Sequence, residues 1–211
     1  MPQTTIETHI PFGASIIEYK LPSFERRQVG IISEILQQKA TTAGVKKSNR
    51  GGWHSEAKLY DVDTPNLKWL VRKLFSFSVL SLRNEQPSPT NQQLYMTACW
   101  ANVNECGDWN SPHAHQPSNW AGVCFIDVEN NAHTKTSEDG QLIFINPLPV
   151  GAYQGSPPIH CHQPENGQVI LFPGYLLHMV APHFSTSPRI SVAFNLEFER
   201  KSLPSSTGFK V

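Results

Sequence analysis

Net charge is the first thing this sequence lacks: seventeen Lys and Arg balance seventeen Asp and Glu over 211 residues. A neutral chain has no basic stripe with which to neutralise phosphates, and this argues against nucleic acid as a partner. Long apolar runs are missing too. No window approaches the roughly eighteen residues that a membrane-spanning helix needs, and no basic stretch followed by an apolar one opens the chain. The expectation is a soluble cytoplasmic protein with no membrane partner. Cysteine is scarce and irregular: Cys99, Cys106, Cys124 and Cys161 form no C-x-x-C pair and no regular framework. Reduced thiols are therefore expected rather than disulfides. No internal repeat is present, and the length suits one domain with a real core.

What the chain does have is histidine, nine in all, and a dense stretch from Trp100 to Asn119 that holds two of them, His113 and His115. An alternating apolar and polar run over 94–104 leads in and reads as a half-buried strand, broken at Gly107 and Pro112. On extended backbone the two imidazoles of an H-x-H pair project from one face, because the side-chain period of a strand is two. Neutral imidazole is a common ligand of first-row transition metals, so a third donor from a distant strand would complete one facet of a coordination sphere. His178 is the candidate. It sits in G-Q-V-I-L-F-P-G-Y-L-L-H-M-V-A-P, and Arg189 follows in R-I-S-V-A-F-N. Strand, tight turn and strand in that order suggest a sandwich or barrel whose open end brings His178 beside the pair.

Elsewhere the pattern gives a strand near Ile16 to Tyr19. A helix follows, capped by Ser23 and running to about Ala40, with Val29, Ile32 and Leu36 as its apolar face. Residues 41–57, with S-N-R-G-G-W-H-S in the middle, read either as plain surface or as a loop lining a site. A second helix starts at Thr64-Pro65, threonine capping, with Leu67, Leu70, Val71 and Leu74 as a stripe. Residues 84–93 connect this helical front (1–93) to a β-rich core (94–200) and a loose tail (201–211), all in one 1–211 domain. Strands are expected near 94–104, 119–128, 141–146, 167–172, 175–181 and 189–198, and long loops over 129–139 and 147–166 are possible lids. The fold class is α+β, with the front helices laid on a sheet. Trp100, Trp120 and Phe194 read as core. The second H-x-H, His160-Cys161-His162, reads as loop surface.

These residues resemble the Fe(II)- and 2-oxoglutarate-dependent oxygenases through three segments covering most of 94–198. In the nucleic-acid demethylases of that superfamily a strand carries N-x-Y-x-x-G-x5-H-x-D, and Asn102 to Gly107, five residues, then His113-Ala114-His115 follow that spacing. Asn stands in the Tyr place and His in the Asp place. The whole chain, with S-N-R-G-G-W-H-S, W-x-N, H-x-H-x-P-S, L-F-P before His178 and R-I-S-x-A-F-N, is similar to a family of 2-oxoglutarate oxygenases of bacteria and their phages. The resemblance implies a double-stranded β-helix (jelly-roll) core. It implies Fe(II) held by His113, His115 and His178, with 2-oxoglutarate anchored by Arg189 and Ser191 and its other end near Asn102 and Asn104. Its implied partners are 2-oxoglutarate, O2 and a prime substrate, either a protein or peptide side chain or a small metabolite, with a homo-oligomer left open.

The usual ligand set of this superfamily is two histidines and one carboxylate, so the departure at His115 leaves three readings open. It is a third neutral ligand, or it stands back and water takes the position, or Asp108 supplies the carboxylate. A rival family is the cupins, whose first motif also opens with Gly, five residues and H-x-H. The cupin glutamate is absent, with Asn119 and Trp120 in its place, and a cupin has no need of Arg189. A non-catalytic phage or bacterial scaffold on the same fold is the other alternative.

Overall fold

Period-two alternation builds two facing sheets in the computed structural model, which describes residues 5–85, 92–128, 139–148 and 157–200. In chain order the elements are β1 (Ile6–His9), β2 (Ile16–Lys20), α1 (Gln28–Thr41), β3 (Asn49–Arg50), β4 (Trp53–His54), α2 (Pro65–Glu85), β5 (Gln92–Asn104), β6 (Trp109–His113), β7 (Trp120–Asp127), β8 (Leu142–Ile145), β9 (Ile159–His162), β10 (Gln168–Pro173), β11 (His178–Val180) and β12 (Arg189–Arg200). The large sheet runs β1-β2-β10-β7-β12-β5-β4 and the small one β3-β6-β11-β8-β9, with every pairing between named strands antiparallel. This is the double-stranded β-helix with two helices laid on the large sheet, as expected.

Two apolar layers follow from the alternation. On the outer face of the large sheet, Val169 and Leu171 of β10 and Ile190, Val192, Phe194 and Leu196 of β12 meet Ile31 and Ile35 of α1 and Leu67, Leu70 and Leu74 of α2. Between the sheets, Ile170 and Phe172 of β10 join Phe125, Leu142, Phe144 and Leu176. Fully burying each such side chain contributes roughly 1.5–3 kcal/mol, so the helix-backed layer is the main source of stability.

Several details of the front half depart from the sequence-based expectation. Helix α1 begins at Gln28, not after Ser23, which has φ 62° and makes no cap. Its buried residues are Ile31 and Ile35, whereas Val29 is 79% exposed, so the apolar face is turned from the expected one. A helix with apolar residues at 29, 31, 32, 35 and 36 offers two overlapping stripes, and contact with Phe24 and the sheet selects one. At α2 the Thr64 hydroxyl does not cap; it donates to Glu34 of α1. Glu34 itself accepts the Asn66 and Leu67 N–H groups, so the cap comes from the neighbouring helix. The front is not purely helical, since β1 to β4 all precede residue 93.

In the β-rich half, β9 forms inside the segment read as a long loop, and β6 supplies the extended backbone expected at His113, though no strand bounds were assigned there. His160 and His162 thus belong to an edge strand paired with β8, not to a loop. The expected strand over 175–181 is shortened to β11. The tail over 201–211 and most of the two long loops lie outside the described residues.

Candidate metal and cosubstrate site

Strand pairing brings the histidines together. His113, the last residue of β6, is directly opposite His178, the first residue of β11, and directly opposed residues on antiparallel strands share a face. The expected strand does not extend to His115. That residue lies beyond β6 and is pinned by its backbone N–H donating to the Gly174 carbonyl at 2.7 Å, in the turn before β11. The ligand atoms of the three imidazoles all lie within 4.8 Å of one another. Among the described residues no other group of three or more His, Cys, Asp or Glu converges in this way.

Two of the three rings have their tautomer set by the backbone. His113 Nδ1 faces the Ser111 carbonyl at 2.7 Å and His178 Nδ1 faces the Leu176 carbonyl at 2.9 Å. A carbonyl only accepts, so each Nδ1 must carry the proton, leaving each Nε2 with a bare lone pair. His115 Nε2 lies 3.2 Å from His178 Nε2. Burial pushes all three imidazoles below their ordinary range. His115 drops to about 4, through burial first and the nearby His113 second. His178 falls well below its ordinary value through burial, then His113 and His115. Desolvation penalises the charged form, so the set presents itself as neutral imidazoles, the form that binds metal.

A narrow inner cavity of about 50 Å³ is lined by His113, His115 and His178 together with Asn102, Arg189 and Ser191. Arg189 and Ser191 alternate inward from β12, opposite Asn104 and Asn102 of β5. Arg189 is 3% exposed; its Nε donates to the Gly140 carbonyl at 3.1 Å, and among the described residues it has no carboxylate partner and its Nη2 is buried without an acceptor. Burial lowers its pKa to about 10, which still leaves it a cation at neutral pH. A buried guanidinium with an unused N–H is costly unless an anion completes it. The cavity therefore suits a carboxylate at the Arg189 end and a metal at the histidine end. Asn102 lines it with Oδ1 unpartnered, whereas Asn104 donates to Asn110 and is not among the lining residues.

Asp108 does not join the histidines. Its carboxylate accepts the Glu105 N–H at 2.8 Å and lies against Gly51. The S-N-R-G-G-W-H-S run, by contrast, is part of the site. It crosses from β3 in the small sheet to β4 in the large one through Gly51 and Gly52, both at positive φ, and a Cβ on Gly51 would lie 1.8 Å from Asp108 Oδ1. The crossing sets Ser48 Oγ 3.4 Å from His113 Nε2 and His54 against Trp100. Trp100 is thus a wall of the site as well as a core residue, and an outer cleft of about 470 Å³ runs past it from His54 and Lys47 to His113 and His115. Ser48, His54 and Asn110 were not singled out individually from the sequence. Ser48 and His54 entered only as members of the S-N-R-G-G-W-H-S run, and nothing pointed to Asn110.

Residues 98–195 match the model of a family described as "Putative 2OG-Fe(II) oxygenase". No curated protein matches the chain by sequence. Among solved structures, the chain is similar to a Pseudomonas putida prolyl-4-hydroxylase, at 14% identity and TM-score 0.61, covering 89% of this chain and 93% of that one. It is similar also to the non-heme alpha-ketoglutarate-dependent epimerase SnoN from nogalamycin biosynthesis, at 12% identity and TM-score 0.63, covering 92% and 87%. HygX from Streptomyces hygroscopicus, solved with nickel, 2-oxoglutarate and hygromycin B bound, aligns at 11% identity and TM-score 0.62 over 89% and 83%. At these identities the likeness is one of fold.

Proposed function

We propose that this chain is a 2-oxoglutarate-dependent Fe(II) dioxygenase, a hydroxylase of a protein or peptide side chain or of a small metabolite; the match of residues 98–195 to the 2OG-Fe(II) oxygenase family model supports this reading. The observation that carries this reading is the pairing, in one cavity, of three neutral imidazoles with a buried arginine that has no anionic partner among the described residues. The Nε2 atoms of His113, His115 and His178 would hold Fe(II), and Arg189 with Ser191 would take the far carboxylate of 2-oxoglutarate. Bound iron and cosubstrate supply, with O2, an oxidation of a substrate C–H bond coupled to decarboxylation of 2-oxoglutarate to succinate. The chain's own residues orient and exclude. Ser111 and Leu176 fix the tautomers of two ligands, and Phe125, Phe172 and Leu142 wall the cavity against water. Prime substrate enters by the outer cleft, the opening that reaches His113 and His115.

The test is direct. His113→Ala and His178→Ala, each folded, should lose stoichiometric Fe(II) binding in anaerobic titration, since removing one point of a three-point site costs orders of magnitude. Anaerobic addition of Fe(II) and 2-oxoglutarate to the parent should give a weak visible charge-transfer band. Tight iron binding by either variant would place the metal elsewhere, and a parent with neither band nor succinate formation would return the chain to the scaffold reading.

A further inference from the structure

The three imidazoles are held in two different ways. His113 and His178 each point Nδ1 at the carbonyl two residues earlier in the chain, which fixes the ring as well as the tautomer. His115 has no such anchor. Among the described residues its ring has one hydrogen-bond partner, His178 Nε2, and His178 is itself one of the three converging histidines. The His115 ring also meets four other rings. Trp100 lies 5.6 Å away at 38°, His178 5.0 Å at 20°, His113 5.1 Å at 74° and Phe172 6.2 Å at 52°.

Trp100 in turn has a second ring partner: His54 stacks on it at 5.5 Å and 8°, nearly parallel. His54 is buried and its Nδ1 faces the Ser55 carbonyl at 2.5 Å, so its ring is fixed by the backbone. Ser55 is tied in turn to β5, its N–H donating to the Ala101 carbonyl and its Oγ accepting the Ala101 N–H, each at 2.9 Å. The four rings His178, His115, Trp100 and His54 form one column, anchored to the backbone at both ends. Among the described residues, neither middle ring has a backbone carbonyl to fix it. Offset aromatic contacts of this kind contribute roughly 0.5–1.5 kcal/mol each, enough to select one ring orientation in a buried slot.

We infer that Trp100 is the positioning residue for His115, with His54 as its support. The column does for the third imidazole what a backbone carbonyl does for each of the other two. This rests on the reading of the three histidines as the metal site. It also gives the S-N-R-G-G-W-H-S run a role: the Gly51-Gly52 crossing delivers His54 to the Trp100 ring. An imidazole in a place where the superfamily has a carboxylate is a larger ring on a residue outside any strand, and it needs a wall that the shorter side chain would not.

Pulsed EPR on protein loaded with one equivalent of Cu(II) counts coordinated imidazoles, and a competition titration gives the affinity. The parent should show three. Trp100→Ala should show two, with Cu(II) bound about ten- to a hundredfold more weakly, the usual cost of losing the partner that orients a ligand. Trp100→Phe should restore the third imidazole, because a flat ring remains, and His54→Ala should weaken binding by a smaller factor. A folded Trp100→Ala that keeps three imidazoles and the parent's affinity overturns the inference. Should that variant fail to unfold cooperatively, His54→Ala decides, and its matching the parent in both readouts overturns the inference equally. A parent with two imidazoles removes His115 from the ligand set and the inference with it, whereas a parent that binds no stoichiometric metal sinks the functional reading itself.

Discussion

Strand β12 presents two faces that differ in almost everything except their backbone. Toward the helices it turns Ile190, Val192, Phe194 and Leu196, none more than 1% exposed and all packed against other apolar side chains. Toward the small sheet it turns Arg189, Ser191 and Asn195, which line the cavity and the cleft outside it. Four buried side-chain N or O atoms lack a partner among the described residues, and three of them, on Arg189, Asn195 and the facing Asn102, belong to this inner surface. An unpaired buried polar atom costs about 1–3 kcal/mol, so the inner face is held open at the expense of stability that the outer face supplies. The division lets one strand serve as both wall and site, and each face can be broken without the other.

Breaking the outer face should have the largest effect. Phe194 is fully buried and packs over Gly122, where an added Cβ would come within 2.3 Å of its ring, so the pocket around it has no slack. Phe194→Ala should lower the unfolding free energy by about 3–5 kcal/mol in urea titrations, while the folded fraction still binds one Fe(II). A loss below about 1 kcal/mol would show that this layer is not where the stability resides. The inner face should answer in the opposite way. Arg189→Met keeps most of the volume and removes an incompletely paired charge, so stability should hold or rise. Affinity for 2-oxoglutarate should fall by about ten- to a hundredfold, the equivalent of a charge-assisted pair of roughly 1.5–3 kcal/mol. Overlaid cosubstrate titrations of variant and parent would make Arg189 a structural residue.

How far the sequence carried follows the same division. The alternating strands β5, β7, β10 and β12 were legible because period two is written in their residues, and with them the inward pair Arg189 and Ser191. His113 opposite His178 followed from strand order at the open end of the fold. What could not be read was set by contacts between distant segments. Helix α1 offers two stripes and only packing selects Ile31 and Ile35; the cap of α2 comes from Glu34, thirty residues before Thr64. Strand β6 carries Pro112 and β9 is a short edge strand, so neither shows a long apolar period. The column behind His115 was hidden for the same reason, because nothing local in W-H-S announces that the histidine will stack on Trp100.

A pH titration sharpens the contrast, because the inner face carries the depressed histidines. His54, His113, His115 and His178 all have pKa values lowered chiefly by burial, His115 to about 4. The unfolded chain takes up these protons near pH 6.5, while the folded chain resists them. Their contribution to stability is therefore complete above about pH 6.5 and is lost as pH falls toward 4. Metal-free protein should show unfolding midpoints in urea that decline across this window, and His115→Gln, which cannot titrate, should flatten the slope. A parent whose midpoint is constant from pH 7 to pH 5 would mean that these rings are not buried as neutral imidazoles.

The smallest effect belongs to the helical layer itself, at Glu34. Burial disfavours its charge, yet the hydrogen bonds from Thr64, from the Leu67 and Asn66 N–H groups and from the Asn66 amide outweigh that, and its pKa sits below the ordinary carboxylate value. A carboxylate at the start of α2 satisfies two of the N–H groups a helix leaves open and opposes the positive end of its dipole. Glu34→Gln removes the charge and replaces one acceptor oxygen with a donor, so it should cost about 1 kcal/mol at pH 7, within the range for losing a helix cap. A carboxylate with a depressed pKa stabilises the fold above its unfolded value, near 4.3, and that contribution fades as pH falls through the folded value. The gap between parent and variant in urea should thus be full at pH 7 and shrink toward pH 3, the carboxylate counterpart of the histidine window above it. Because Glu34 and its partners lie in the helical layer on the outer face, iron and 2-oxoglutarate binding should not change. A Glu34→Gln protein that unfolds with the parent and then loses cosubstrate would mean that the two faces of the sheet are coupled after all.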